Sequence, residues 1–175
     1  MRKFLILMIS VGILSCANNK TEQVSTIKIK DEKAQKISKM MESYVNNNFD
    51  SSIISEDAKI KFNQLEMTKT DFENLVTTHH AMFNEISFPE GWMETVNYIG
   101  ADVKNAGGKY ADDYGSTWTS HWSDWTAVSK ISGDTISNHC FFGYKWENDK
   151  IVEVSAIFPD EAFNKELAMF MEANK

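Results

Sequence analysis

"STWTSHWSDWTAV", residues 116–128, sets three tryptophans four and three residues apart among hydroxyl side chains. That spacing suits one face of a helix as well as a bent strand, and the choice decides the fold. Thr119, Ser120, Ser123 and Thr126 compete with helical hydrogen bonding, and no cap precedes Ser116, so the segment reads as a strand. In a regular strand Trp118 and Trp122 share one face while Trp125 takes the other. A bulge near Ser123 and Asp124 would return Trp125 to the first face and curve the sheet.

The neighbouring segments agree with a sheet. After Pro89, "TVNYIGADV" (95–103), "DTISNHCFFGYKWE" (134–147) and "KIVEVSAIFP" (150–159) are rich in β-branched and aromatic residues. "SGD" (132–134) and "END" (147–149) supply turn residues between the last three strands, which predicts an antiparallel meander; "NAGG" (105–108) marks another turn. Upstream, Ala34, Ile37, Met41, Tyr44 and Val45 form one face of a helix capped by Asp31 and stopped by "NNN" (46–48). "DAKIKF" (57–62) alternates Ala58, Ile60 and Phe62 with polar residues, as a half-buried strand does. Thr70 and Glu73 have capping-box spacing before a second helix. Its apolar stripe of Phe72, Leu75, Val76, Met82 and Phe83 includes His79 near the middle, with His80 at the edge. Pro159 and Asp160 open a closing helix whose buried side carries Phe163, Leu167 and Phe170.

The N-terminus speaks of location. "MRK" followed by "FLILMISVGIL" has the charge and length of an export signal, too short for a spanning helix of roughly 20 residues. "ILSC" resembles the bacterial lipobox, which implies lipidation of Cys16 after removal of residues 1–15. The resemblance implies a place in the cell envelope, on the periplasmic side or at the outer membrane, the latter favoured by Ala17 following the cysteine. Residues 16–30 then read as a lipidated tether and 31–175 as one domain. With Cys16 consumed, Cys140 stands alone and no intrachain disulfide forms. Loss of Arg2 and Lys3 leaves 16 basic residues against 25 acidic ones, a net charge of −9 that argues against nucleic acid and against a polybasic grip on lipid headgroups.

The order helix, short strand, helix, long meander resembles the nuclear transport factor 2-like superfold and, more closely, its SnoaL-like branch. "YGSTWTSHWSDWTA" (114–127), then "HCFFGYKWENDKIVEVSAIFP" (139–159) with Asp160 after it, carry the resemblance over 31–171. It implies an α+β fold, a conical curved antiparallel sheet with helices packed on its concave face around an interior. The tyrosine and paired-aspartate arrangement of the steroid-isomerase branch has no clear counterpart, since nothing in the sequence assigns a partner to Tyr44.

For chemistry, His79, His121, His139 and Asp124 are the parts from which a proton-transfer site could be assembled, with His79, His139 and Asp124 the catalytic candidates. Trp118, Trp122, His79, Phe142 and Tyr144 are the candidate ligand-binding wall, and Trp146 joins the same aromatic series. His79 and His80 point two ways from a helix, so shared ligation of a metal is disfavoured, and no serine elbow, phosphate loop or cofactor motif is present. The expected function is an envelope lipoprotein holding a small, largely apolar molecule in an aromatic cavity. The alternatives are an acid–base enzyme of isomerase, cyclase or dehydratase type and a non-catalytic homodimerisation module.

Overall fold

The computed structural model describes residues 23–175. The signal segment and Cys16 lie outside the described residues. Eight strands, β1 (Thr26–Ile29), β2 (Ile54–Phe62), β3 (Leu65–Met67), β4 (Phe83–Ser87), β5 (Gly91–Asn97), β6 (Thr117–Ser129), β7 (Thr135–Glu147) and β8 (Lys150–Ile157), form one sheet. Its order is β1-β5-β6-β7-β8-β2-β3, with β4 pairing β6 beside β5. All pairs are antiparallel except β2 with β8. The helices are α1 (Glu32–Val45), α2 (Lys69–Met82), the short α3 (Ala101–Asn105) and α4 (Gly108–Asp112), and α5 (Glu161–Ala173). Among the described residues no helix is long and apolar enough to cross a membrane.

The Trp-rich segment is a strand, as expected, and β6, β7 and β8 are the expected meander. There is no bulge at Ser123 and Asp124. β6 pairs residue for residue with β7 from Thr117 to Val128, so strict alternation holds. Thr119, His121, Ser123, Trp125 and Ala127 face the helices, and Trp118, Trp122 and Asp124 face away. The discontinuity sits in the opposite neighbour. β5 covers β6 from Thr117 to Ser123, β4 takes over from Thr126 to Ser129, and the intervening Phe88, Pro89 and Glu90 leave the ladder. Glu90 stays tied through its carbonyl, which accepts from the Ser123 hydroxyl and, at 3.2 Å, from the Asp124 amide. The segment read as tether contributes β1, which pairs with β5 at the sheet edge. The "TVNYIGADV" run divides, with β5 ending at Asn97 and α3 starting at Ala101.

Asp31 caps α1 as expected, its carboxylate accepting the Ala34 amide at 2.9 Å. The same oxygen anchors the helix to the sheet. Thr95 Oγ1 lies 2.8 Å from Asp31 and 2.9 Å from Thr119 Oγ1, which accepts the Trp146 indole N–H at 2.9 Å. An indole only donates and a carboxylate only accepts, so the chain runs Trp146 to Thr119 to Thr95 to Asp31 with both threonine hydroxyls satisfied. α1 ends at Val45 with Asn47 in the left-handed region at φ 55°. The cap of α2 is Thr68 with Asp71, two residues before the expected Thr70 and Glu73; both reciprocal bonds of the box are present. In α5 the apolar side is Phe163, Leu167 and Phe170, but its most buried member is Glu166, whose carboxylate accepts from the hydroxyls of Ser129 and Ser132.

Candidate functional site

Between the inner face of β6 and β7 and the helices α1, α2 and α5 lies a cavity of about 190 Å³. Its walls are mainly Met41, Phe62, Phe72, Phe88, Phe142 and Phe163. Asn63, Asn138, Asp160 and Asn164 also line it, and a separate polar cluster is tied into the aromatic wall.

That cluster joins three elements. Trp125 from β6 donates its indole N–H to the Tyr44 hydroxyl at 2.8 Å, and Tyr44 from α1 stands 2.9 Å from His79 Nδ1 on α2. Because the Tyr44 oxygen already accepts from Trp125, its proton is best satisfied on Nδ1, which makes Nδ1 the acceptor. His79 then carries its own proton on Nε2, which has no partner among the described residues. His80 fixes the same tyrosine from below, with its Nε2 lying 2.6 Å from the Tyr44 carbonyl. The result is a relay with a defined polarity that ends as an N–H donor on a cavity-lining ring.

Burial sets the charges. Desolvation, with a smaller contribution from His80, pulls His79 down to about 4, so its ring is neutral near pH 7. Tyr44 is raised above its ordinary value by burial, and it remains a protonated donor. Cys140, whose thiol donates to the Ser123 carbonyl at 3.1 Å, is pushed up to about 12 by burial and is no thiolate nucleophile. The arrangement therefore offers a neutral donor to an acceptor oxygen inside an apolar enclosure.

Of the residues picked out by sequence, His79 and Phe142 line this cavity. Tyr144 is buried next along β7, stacked on Phe142 with ring centres 6.3 Å apart, and does not reach the wall. Trp118 and Trp122 are on the opposite face of the sheet, because β6 alternates without a break and turns its odd-numbered residues inward. Trp118 donates to Asp113 at 3.3 Å beneath the Lys145 ammonium; Trp122 is 55 % exposed against Phe141. Asp124 and His139 pair with each other, also on that outer face, and are not brought near His79. Trp146 belongs to the chain that ends at Asp31. His121 is on the inner face, 2 % exposed, pulled down to about 4 by burial. Tyr44, Trp125, Phe88 and Phe163 were missed. For Trp125 the signal was available, since unbroken alternation places it with His121; Tyr44 needed its two distant partners. Among the described residues no group of three His, Cys, Asp or Glu could hold a metal.

No family model matches the chain. No curated protein matches it either. Solved structures do. A candidate polyketide cyclase from Xanthomonas campestris superposes with a TM-score of 0.55 at 9% identity, over 77% of this chain and 96% of that one. An NTF2-like protein of unknown function from Burkholderia pseudomallei gives 0.52 at 9% identity over 77% and 96%. The fold is nuclear transport factor 2-like. AclR, a candidate hydroxylase from Streptomyces galilaeus, shares this NTF2-like fold at a TM-score of 0.52 and 13% identity over 78% and 96%. At these identities the likeness extends to the fold and stops there.

Proposed function

We propose that this NTF2-like domain belongs to a lipoprotein tethered in the cell envelope through Cys16, and that it binds a small, largely apolar molecule bearing an acceptor oxygen. The observation that carries the reading is the relay from Trp125 through Tyr44 to His79, set in a largely apolar cavity. An apolar cavity of roughly 150 Å³ takes up benzene. The space here therefore suits one ring or a chain of like bulk. A neutral imidazole N–H favours a ketone, ester or ether oxygen, and a carboxylate entering this site would lose its hydration without gaining a counter-charge.

The test is a thermal-shift screen of the mature domain against small aryl and alkyl ketones beside the parent hydrocarbons and matching carboxylates. A rise in melting temperature for ketones that exceeds the rise for hydrocarbons, and that His79→Phe removes, supports the reading. No shift with any neutral ligand sinks it.

An acid–base enzyme is the second reading, favoured by the same donor and by the candidate cyclase and hydroxylase among the structural neighbours. In it His79 Nε2–H polarises a carbonyl while remaining neutral, and His79→Gln lowers kcat with binding retained. Homodimerisation rests on a different observation, the outer-face row of Trp92, Trp122, Phe141 and Ile157, with Trp92 57 % and Ile157 63 % exposed. Trp122→Glu would convert such a dimer to monomer by analytical ultracentrifugation.

A further inference from the structure

A second cavity, about 480 Å³, lies between the first half of α1 and strands β5 and β6. Lys30, Gln35 and Ser38 are among its walls, and at the sheet side it meets His121. Met41 and Phe88 line both this cavity and the aromatic one, so these two side chains form the partition between them.

The partition and the His121 ring beside it are built to open. His121 is almost wholly buried, yet its Nδ1 has no hydrogen-bond partner among the described residues. A buried nitrogen left unpaired is costly, and such groups call for a specific explanation. The ring is covered from two sides, by Phe142 stacked at 5.8 Å and 26° and by Phe88 at 5.6 Å. Phe88 belongs to the connection that leaves the ladder between β4 and β5, where no strand pairing holds it. Met41, the other half of the partition, is an unbranched side chain that repacks readily. Gly91 lines the second cavity on the other side of the ring, where a Cβ would stand 3.3 Å from His121 Nε2.

We infer that the two cavities are the ends of one chamber, filled by a single elongated, uncharged ligand that displaces Met41 and Phe88 and places a second oxygen on His121. The inference rests on the proposed reading of the aromatic cavity, whose His79 end takes the first oxygen. It goes further by naming the ligand class: a mostly aliphatic chain with one oxygen near each end. The second oxygen is a hydroxyl, because a hydroxyl can donate to or accept from either tautomer of a neutral imidazole. The chain is uncharged along its buried length because neither histidine presents a counter-charge near neutrality and the partition between them, Met41 and Phe88, is apolar.

Isothermal titration with 2-alkanones of six to twelve carbons, and with the same ketones carrying a terminal hydroxyl, tests this directly. The expected result is a Kd that keeps falling by roughly fourfold per added methylene beyond the length the aromatic cavity alone accommodates. The terminal hydroxyl should improve binding five- to tenfold in the longest members and not in the shortest. His121→Phe should abolish that hydroxyl gain while leaving six-carbon ketones unchanged. Phe88→Leu, which lowers the partition, should tighten the long ligands relative to the six-carbon ketone, and it serves as the independent variant should His121→Phe melt early. If short ketones bind and longer chains are no tighter, or the hydroxyl gain survives His121→Phe, the single chamber is overturned and the proposed function stands. If no ketone of any length binds, both fail.

Discussion

Two histidine pairs sit on opposite faces of the same sheet and differ in almost every physical respect. On the inside, His79 meets Tyr44 in a desolvated setting that keeps the imidazole neutral and fixes which nitrogen carries the proton. On the outside, His139 meets Asp124 with its ring open to water, where screening makes an ion pair worth little. By composition the outer pair is the more enzyme-like, a carboxylate beside an imidazole. Enclosure reverses the ranking, because only the inner donor faces a volume from which water can be displaced. The tryptophans repeat the lesson: Trp125 at 8 % exposure is part of the relay, whereas Trp122 at 55 % decorates the outer surface.

The sharpest way to break this contrast is to truncate one tryptophan from each face. Trp125→Ala should cost about 3–5 kcal/mol in urea denaturation, through the cavity it leaves and the hydrogen bond that Tyr44 ceases to accept, and should abolish ketone binding. Trp122→Ala should cost under about 1 kcal/mol in the monomer. Equal losses would show that the two faces are packed alike.

Acid separates the faces next. His79 and His121 have folded values near 4 against an unfolded value of about 6.5, so the unfolded chain binds more protons between those limits. Their contribution is intact above about pH 6.5 and is lost as pH falls toward 4, by on the order of 2 kcal/mol for each. Denaturation midpoints measured from pH 7.5 to 4.5 should show the decline, and His121→Phe should make it shallower. A decline unchanged in that variant would remove His121 from the account.

A smaller effect of opposite sign is expected at Tyr144, whose buried hydroxyl has no partner among the described residues. Tyr144→Phe removes an unpaid desolvation cost and should raise stability by about 1 kcal/mol. A loss instead would mean that the hydroxyl has a partner in solution. Least of all, Asp124→Asn on the outer face should change stability by less than about 1 kcal/mol and leave ketone affinity untouched. A binding defect there would contradict the assignment of the site to the inner face.

The fold was more legible than the site, for reasons visible in particular residues. Asp31 with Ala34 signals the start of α1, the "NNN" run its end, and "SGD" and "END" the turns of the meander, all within a few residues of chain. β1 was hidden because four exposed residues at a sheet edge carry no alternation of burial. The cap of α2 was misplaced because Thr68 and Thr70 each have an acid three residues on, and both Thr–x–x–acid patterns fit the box. The aromatic wall was legible in kind and misassigned in place. Choosing Trp118 and Trp122 over Trp125 required knowing whether β6 bulges, and the break lies instead in the chain across from it, at Phe88 to Glu90.

From the linear chain alone come the elements, the meander and an interior rich in aromatic residues, because each follows from periodicity, caps and turn chemistry acting over a few residues. Which histidine is enclosed, which of its nitrogens holds the proton and which tryptophan supports it were settled only in three dimensions. Tyr44 meets partners 35 and 81 residues away, and a contact that long in sequence is set by how the sheet and helices close on one another, which no local pattern records.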